Sequence, residues 1–324
     1  MTDPDRLTEK KIVVDRKLLA DFEDRLDPAF PEKSGIPPTI LGYGEISSSF
    51  VIAQMPDIAF KRMPPFPGRD TAEEYRRIVD LYCRHLKEDC GVKVLPHTTH
   101  RIENRFGEHI VYVAQPRLET ETIGNIRLKH KDSRYIAEMV DRVADRILAV
   151  GRKNRDGSGL SIGIDGQISN WCFPGETFPL EEPLYFDITT PLFRVNGSEQ
   201  LDVRVFLKSI PSGLVWLVKW KFLQEILDRY YDTRQVLIDL AANFHKEGRQ
   251  DMIDEAIALI NGKVGRVGLA PPVASLTRDE VDSYYKNDAF MWALLLRLRR
   301  ADRFICTRLL RRRYNFILPG KIER

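Results

Sequence analysis

The sequence has 324 residues, enough for two folding units of about 150 residues or for one two-lobed body. Hydrophobic residues make up 43% and charged residues 30%, which is typical of a folded globular protein and excludes disordered, collagen-like and disulfide-scaffold chains. Fifty basic residues oppose 47 acidic ones, and the net charge of +3 is too small to indicate a nucleic-acid or membrane partner for the chain as a whole.

Residues 1–38 predict an N-terminal arm that precedes the folded body. One amphipathic helix is expected over residues 11–26, where apolar residues recur among charged ones. Prolines and a glycine between positions 28 and 38 then end the helix, because these residues interrupt regular structure. The folded units are therefore expected to begin at Thr39.

Residues 39–118 have the pattern of a small sheet with one helix. β-Branched and aromatic residues between positions 39 and 62 are divided by turn signals at Gly42 and Pro56, which predicts a three-stranded meander. A helix is expected next, because apolar residues recur every three or four positions, and two further strands follow. The helix and the two strands are predicted over residues 71–87, 93–102 and 109–115.

Residues 119–324 have mainly helical periodicity, interrupted by one loop-rich stretch at 151–197. The helices are predicted over residues 135–150, 214–246, 251–261 and 279–310. The expected fold class is therefore α+β. A small lobe with a five-stranded antiparallel sheet and one helix precedes a larger, mainly helical lobe.

Several observations bear on where the protein resides. The N-terminal segment lacks the uninterrupted apolar stretch of a secretory signal. The most apolar window, residues 214–223, is about half of the ~20 residues that a membrane-spanning helix needs. No cysteine belongs to a C-x-x-C pair or has a histidine at zinc spacing, so we expect a reduced, cytoplasmic protein. The cysteines are Cys83, Cys90, Cys172 and Cys306.

Acidic and amide side chains follow two apolar segments in the middle of the chain. Asp165 lies in a turn-forming stretch after the first segment, and Asn170 follows it five positions later. Asp187 ends the second segment. Acidic residues are costly at the ends of buried strands unless they are paired or have a function. We therefore regard these three residues as candidates for a shared site.

The predicted meander adds glycines, hydroxyl groups and one cation to this set. The turn after its first strand contains Gly42 and Gly44, which favour a flexible loop. Lys61 lies on its third strand. Three serines follow the glycines: Ser47, Ser48 and Ser49.

The order of these features along the chain is a glycine loop, a strand lysine, a helix with acids, Asp-x4-Asn and a second Asp. This order resembles the protein-kinase-like superfamily over roughly residues 39–191. The resemblance implies a bilobal fold with ATP and Mg²⁺ as cofactors. The residue types suit phosphoryl transfer, because cations hold phosphates, the metal neutralises developing charge and a carboxylate orients the attacking hydroxyl.

The resemblance also implies a role for each residue of the later half. Asp165 would be the base, and Asn170 and Asp187 would be the Mg²⁺ ligands. Lys61 would contact the α- and β-phosphates. An acid of the predicted helix would hold this lysine, and Glu74 is our first choice, with Glu73 the second.

The nucleotide would lie under the glycine loop and against the link between the lobes. The loop residues that would close over it are Gly42, Gly44 and the hydroxyls of Ser47, Ser48 and Ser49. The link, where adenine meets backbone groups, would consist of Gln115, Pro116 and Arg117.

The sequence departs from protein kinases around both acids. Gly163 replaces their His, Gln167 replaces their usual Lys, and Asp187 is followed by Ile-Thr instead of Phe-Gly. The pattern is more similar to aminoglycoside and choline phosphotransferases, so the expected acceptor is a small-molecule or lipid-headgroup hydroxyl. The missing His and Lys leave a second interpretation open, a pseudokinase-like nucleotide-binding or scaffold protein.

Eight arginines near the C-terminus lie among apolar residues, with only Asp302 opposing them. Such a helix could bind anionic lipid headgroups or a partner. Alternatively, its leucines pack on the helical lobe while the arginines pair with acids. Nucleic acid is disfavoured, because no set of aromatic side chains for base stacking accompanies them. The arginines are Arg297, Arg299, Arg300, Arg303, Arg308, Arg311, Arg312 and Arg313.

Overall fold

The computed structural model describes most of the chain, in five parts. These parts are residue 7 and residues 11–44, 47–175, 178–202 and 220–318. The first six residues of the helix predicted over 214–246 lie outside the described residues. The same holds for positions 45 and 46 of the predicted glycine loop.

The predicted N-terminal arm contains helix α1 (Arg16–Arg25), which packs on the sheet. The helix begins later than expected because the Asp15 carboxylate caps it, accepting hydrogen bonds from two backbone N–H groups of the first turn at 2.9 and 3.0 Å. Leu19 and Phe22 of α1 are fully buried, in one hydrophobic cluster with Phe50. The arm is therefore part of the folded body.

Five antiparallel strands form the main sheet, as the sequence predicts. The strands are β1 (Thr39–Tyr43), β2 (Ser48–Ile52), β3 (Met55–Arg62), β4 (Thr98–Glu103) and β5 (His109–Pro116). Their order in the sheet is β1-β2-β3-β5-β4. The outer face of this sheet packs on α1, and its inner face packs on the rest of the protein.

Helix α2 (Arg69–Glu88) connects β3 to β4 and confirms the helix predicted there. Its apolar stripe, which includes Tyr75, Val79 and Tyr82, is buried against the inner face of the sheet. The acids of its first turns lie outside this stripe. The periodicity that identifies the helix thus also determines which of its side chains face solvent.

The later half of the chain is mainly helical. Its helices are α3 (Gly124–His130), α4 (Ser133–Lys153), α5 (Trp220–Tyr231), α6 (Thr233–Lys246), α7 (Ile253–Val267) and α8 (Arg278–Phe304). The prediction of one continuous helix over 214–246 is wrong. The Asp232 carboxylate accepts hydrogen bonds from the backbone N–H groups of Arg234 and Gln235, at 2.8 and 3.2 Å, and so begins a new helix.

Short strands cross the loop-rich stretch between the helices. They are β6 (Leu160–Ile162), β7 (Trp171–Cys172), β8 (Leu184–Tyr185), β9 (Phe193–Val195) and β10 (Ser198–Glu199). β8 also bonds to the segment before β4, because the Tyr185 N–H donates to the Lys93 carbonyl at 2.8 Å and the Leu95 N–H donates to the Tyr185 carbonyl at 2.9 Å. This pairing explains why β4 begins at Thr98 and not at position 93.

One hydrophobic core connects the sheet and the helices. It contains the buried stripe of α2, inward residues of β5 and the apolar faces of α4, α6 and α7. The α+β class and the five-stranded antiparallel sheet are therefore confirmed. Within the described ranges, no helix has both the length and the apolar character that a bilayer span requires.

Candidate active site

Lys61 and Asp187 form the centre of the candidate site. The Lys61 ammonium lies 2.8 Å from Asp187 Oδ1 and donates a second hydrogen bond, of 3.1 Å, to the Phe186 carbonyl. Side chains alternate along a strand, so Lys61 points to the inner face of β3 while its neighbour Phe60 packs in the outer cluster. The Lys61 side chain is 11% exposed and that of Asp187 is 26% exposed. This ion pair is partly accessible to solvent.

The pairing of short strands places Asn170 beside Asp187. β7 follows Asn170 and β8 precedes Phe186, and these two strands pair with each other in antiparallel fashion. The Phe186 N–H then donates to the Asn170 carbonyl at 3.0 Å. Residues that are 17 positions apart in sequence are thereby held at the same end of a two-stranded ribbon.

Asp165 lies in the turn that leads to Asn170. Its Oδ1 accepts a 3.1 Å hydrogen bond from the Gln167 N–H, and its carbonyl accepts a 3.4 Å bond from the Asn170 amide. Burial raises the pKa of the Asp165 carboxyl well above its ordinary value, and the negative charges of Asp239 and Asp187 add to this effect. The structure thus brings Lys61, Asp165, Asn170 and Asp187 together.

The donor set of Asn170 and Asp187 is compatible with Mg²⁺. Magnesium prefers oxygen ligands and is commonly held by one or two carboxylates, with water and phosphate oxygens completing the octahedron. The hydrogen bonds to the Asp187 carboxylate, from Lys61 and Thr189, both end on Oδ1, which leaves Oδ2 for a metal. The described residues contain no group of three or more His, Cys, Asp or Glu side chains that could hold a metal ion by themselves. A metal at this site would therefore also need ligands from water or phosphate.

The predicted glycine loop reaches the site through one of its serines. The Gly44 N–H donates to the Ser47 carbonyl at 2.8 Å, which closes the loop, and the Ser47 hydroxyl lies 3.3 Å from the Thr189 hydroxyl. Gly42 pairs with Ser49 at the end of β1, and a Cβ atom there would meet nothing within 4 Å.

Ser48 does not reach the site that was expected for it. Its hydroxyl donates a 3.1 Å hydrogen bond to the Ile317 carbonyl of the C-terminal segment. Ser48 begins β2 opposite Arg62, and the next residue, Ser49, is opposite Lys61. Side chains alternate along a strand, so Ser48 lies on the face of the sheet away from Lys61.

Of the predicted link, Gln115 lies on the face of the sheet that carries Lys61. Gln115 is paired with Ala59, two residues before Lys61 on β3. Its side chain is buried, and its Nε2 has no hydrogen-bond partner in the described part of the chain. The Arg117 N–H, in contrast, already donates to the Asp57 carbonyl at 2.8 Å, and its guanidinium is on the surface. Gln115 therefore remains a candidate for contact with a ligand.

The acids of α2 do not hold Lys61. Glu74 pairs with Arg77 on the exposed face of the helix, and Glu73 pairs with two surface arginines. The expected Glu74–Lys61 contact is absent because both acids flank the buried stripe. The side chain of α2 that faces the site is Tyr75, whose hydroxyl donates a 2.7 Å hydrogen bond to the Thr189 carbonyl.

The missing histidine at Gly163 has a steric explanation. A Cβ atom at this position would lie 2.9 Å from Leu192 Cβ and 3.3 Å from the Tyr231 ring. The Gly163 carbonyl also accepts a 2.9 Å hydrogen bond from the Tyr82 hydroxyl. Neighbouring side chains thus fill the space that a histidine would need.

Sequence reasoning missed Lys246, a cation in the last turn of α6. Its ammonium donates a 3.3 Å hydrogen bond to Gln167 Oε1 and lies 3.1 Å from Asp288 Oδ2. Burial acts to lower the pKa of Lys246, but Asp239, Asp288 and Asp165 together raise it, so the ammonium stays charged. Gln167 stands where kinases usually have a lysine, and a lysine from a distant helix contacts it.

The signal for Lys246 is a polar stripe on an otherwise apolar helix. Asp239, Asn243 and Lys246 are spaced by four and three positions, which places them on one face of α6. Asn243 Oδ1 accepts a 2.7 Å hydrogen bond from the Ile168 N–H. This face therefore supports the turn that carries Asp165.

A comparison with protein families identifies a match that covers most of the chain. The model of a family described as a family of unknown function (DUF6206) matches residues 28–303. The matched residues include every member of the site from Lys61 to Lys246. No curated protein matches the chain.

Proposed function

The chain belongs to the family of unknown function that matches residues 28–303, and we propose that it is an ATP-dependent phosphotransferase with a bilobal, kinase-like fold. It would move the γ-phosphoryl group of ATP to a hydroxyl of a small molecule or lipid headgroup. The observation that carries the proposal is the meeting of Lys61 and Asp187, from distant parts of the chain, beside Asp165 and Asn170.

The order of elements supports the fold part of the proposal. The sheet order β1-β2-β3-β5-β4, with a helix between the third and fourth strands, agrees with the small lobe that the sequence resemblance implies. Lys61 is on β3 and Gln115 is opposite Ala59 on β5, so both belong to one face. This face would be the wall of the nucleotide site.

The charged and amide side chains of the site would have separate roles in binding ATP and Mg²⁺. Lys61 would leave its pairing with Asp187 to hold phosphate oxygens, because its ammonium is partly accessible. Asn170 and Asp187 would hold Mg²⁺, which neutralises phosphate charge when bound. Lys246 would provide a second cation beside Asp165, in place of the lysine that kinases carry at the position of Gln167.

Proton transfer would fall to Asp165. The acceptor oxygen forms a bond to the γ-phosphorus while the bond to the β–γ bridging oxygen breaks, and ADP leaves. The hydroxyl proton passes to the Asp165 carboxylate. The environment that raises the pKa of Asp165 also makes its carboxylate more basic, which suits this role.

A second candidate function is a nucleotide-binding scaffold that transfers no phosphoryl group. Asp187 Oδ1 accepts hydrogen bonds from Lys61 and Thr189, and α2 provides no acid that could take over Lys61. This arrangement favours a scaffold if Lys61 stays paired with Asp187 when nucleotide binds.

The test measures ADP release from Mg-ATP with a panel of alcohols, amino alcohols and phospholipid headgroups. We expect Asp165→Asn and Asp187→Asn to lower turnover by about 10²–10⁴-fold. Lys246→Met should lower it by about tenfold, and Lys246→Arg should retain more activity because it keeps the charge. Asp57→Asn, an exposed site on β3, is the matched control for loss of a carboxylate.

Three outcomes would contradict the proposed roles or the proposed enzyme. Turnover that survives both aspartate substitutions would show that Asp165 and Asp187 do not have these roles. Stabilisation by Mg-ATP without turnover of any acceptor would instead identify a scaffold. A ligand that binds only the folded state adds about 2.7 kcal/mol to the free energy of unfolding at ~100 times its Kd. Absence of stabilisation by any nucleotide would contradict both candidates.

A further inference from the structure

Exposed apolar side chains are concentrated in the C-terminal half of α8 and on the π-helical turn that follows it, Ile305–Leu309. Thirteen large hydrophobic side chains are exposed in the described chain, and seven of them lie between positions 290 and 310. They are Phe290, Met291, Leu294, Phe304, Ile305, Leu309 and Leu310. A monomeric protein rarely exposes so many large apolar groups along one element unless the surface has a function.

Exposed arginines occupy the same side of the helix. Phe290, Leu294, Arg297 and Phe304 are spaced by four, three and seven residues, which places them on one face of α8. Arg308 is exposed on the π-helical turn that follows. Arg311 and Arg312 follow the helix and are exposed too. None of these four arginines makes an ion pair with a described residue. We call the exposed residues from 290 to 312 the basic apolar face.

The opposite side of α8 is anchored to the protein. Leu296 and Arg299 are buried, and the Arg303 guanidinium donates a 3.2 Å hydrogen bond to the Ala29 carbonyl. On this side Leu296 packs inward as expected, but the hydrogen bond of Arg303 is to a carbonyl and not to an acid. Arg313, which follows the helix, pairs with Glu23 and Glu108. The anchored side fixes the basic apolar face toward solvent.

We propose that the basic apolar face docks on an anionic membrane surface. Apolar side chains can enter the headgroup boundary of a bilayer, while neighbouring guanidiniums bind lipid phosphates. The face runs for about 20 residues, or about 30 Å of helix, which suits contact with an extended surface better than insertion into a pocket. The helix would lie on the membrane, since no described helix could cross it.

Charge complementarity selects the membrane over other occupants. Two copies of this face related by a two-fold axis would bring arginines against arginines, which is unfavourable. Residues 203–219 of the chain also carry only basic charges, at Arg204, Lys208 and Lys219. An anionic lipid surface supplies negative charge for the four exposed arginines of this face that make no ion pair with a described residue.

The experiment is vesicle flotation of the full chain without nucleotide, which makes it independent of the proposed enzyme activity. The vesicles contain phosphatidylcholine alone or phosphatidylcholine with phosphatidylglycerol. We expect at least tenfold tighter binding to the anionic vesicles, weakening with added salt. Arg297→Glu/Arg308→Glu should lower this affinity at least tenfold. Arg152→Glu/Arg266→Glu, two exposed arginines on α4 and α7, is the matched control for charge reversal.

A second variant separates insertion from simple charge attraction. Phe304→Ser/Leu309→Ser should also weaken binding, with the salt dependence unchanged, because these exposed side chains contribute burial and not charge. Circular dichroism verifies that each variant is folded. Equal binding to neutral vesicles, no vesicle binding, or binding unaffected by the charge reversal would overturn the proposal. A concentration-dependent dimer that the same variants abolish would assign the face to a second copy.

Discussion

Two neighbouring cations on β3, Lys61 and Arg62, take part in ion pairs of opposite character. They point to opposite faces of the sheet, because side chains alternate along a strand. Arg62 pairs with Glu23 of α1 in the outer layer, and Lys61 pairs with Asp187 at the inner face. We call the Arg62–Glu23 pair the closed ion pair and the Lys61–Asp187 pair the open ion pair.

The closed ion pair is buried and fully bonded. The Arg62 guanidinium donates two hydrogen bonds to the Glu23 carboxylate, at 2.7 and 2.8 Å, and a third to the Asn315 carbonyl at 3.0 Å. The Tyr112 hydroxyl donates to the same carboxylate. Neither ionic side chain is more than 3% exposed. The pair joins α1, two strands and the C-terminal segment, and it has no vacant position for a ligand.

The open ion pair has fewer bonds and more contact with solvent. Lys61 donates to one carboxylate oxygen and one carbonyl, and Asp187 is 26% exposed. A cation that is held less completely can exchange its partner for a phosphate at lower cost. The two pairs therefore have different roles. The closed ion pair holds β3 in place, and β3 in turn positions Lys61 where it can exchange Asp187 for a phosphate.

Breaking the closed ion pair should have the largest effect on stability. Arg62→Met leaves the Glu23 carboxylate buried without its main partner, and we expect the free energy of unfolding to fall by about 3–5 kcal/mol. Urea denaturation monitored by circular dichroism measures this change. Glu23→Leu/Arg62→Met removes both charges and should recover part of the loss.

The exposed Arg77–Glu74 pair on α2 provides the control. Arg77→Met should change the free energy of unfolding by less than about 1 kcal/mol, because surface ion pairs contribute little. Equal effects of Arg62→Met and Arg77→Met would contradict the structural role of the closed ion pair.

Breaking the open ion pair should affect turnover more than stability. Lys61→Met keeps the length of the side chain and removes the cation that would hold phosphate, so we expect turnover of Mg-ATP to fall by about 10²–10³-fold. The free energy of unfolding should fall by less than with Arg62→Met, because the Asp187 carboxylate that is left behind keeps contact with solvent. Steady-state kinetics and urea denaturation measured on the same sample compare the two effects. A large loss of stability with unchanged turnover would make Lys61 a structural residue like Arg62.

The same two residues illustrate what the sequence could predict. β-Branched and aromatic residues between turn signals correctly predicted the third strand of the meander and placed Lys61 on it. The partners of Lys61 could not be identified in this way, because periodicity reports which face a side chain occupies and not what lies opposite. Glu74 was expected to hold Lys61, but it lies outside the stripe that buries Tyr75.

Contacts between distant segments explain the other differences. The closeness of Lys246 to Asp165 depends on how α6 packs beneath the turn at 165–170, and nothing in the local sequence fixes that packing. The absence of a histidine at position 163 has a local cause only once Leu192 is known to fill the space. Such facts require the three-dimensional arrangement of segments that are tens of residues apart.

The two regions also differ in how their contribution to stability depends on pH. The pKa of one carboxyl is lowered in the outer layer, and the pKa of another is raised at the candidate site. Burial acts to raise the pKa of Glu23, but Arg62 and the hydrogen bonds to the carboxylate bring it below its ordinary value. Its contribution is therefore present above the unfolded-state pKa and is lost as the pH falls through the folded-state pKa. Burial and nearby acids raise the pKa of Asp165. Its contribution is complete below the unfolded-state pKa and is lost as the pH rises through the folded-state pKa.

Asp165→Asn should therefore stabilise the protein near pH 8 while it lowers turnover by about 10²–10⁴-fold. The amide removes the cost of keeping an ionisable carboxyl in a buried acidic environment, and this cost disappears only below the unfolded-state pKa, where Asp165 is protonated in both the folded and the unfolded chain. Urea denaturation at several pH values between 4 and 8 should give a stability difference between variant and wild type that is largest at pH 8 and shrinks toward pH 4. Asp57→Asn, on the exposed part of β3, controls for the loss of a formal charge. A difference that does not vary with pH would mean that Asp165 is ionised as easily in the folded chain as in the unfolded one, and it would remove the electrostatic basis for its role as the base.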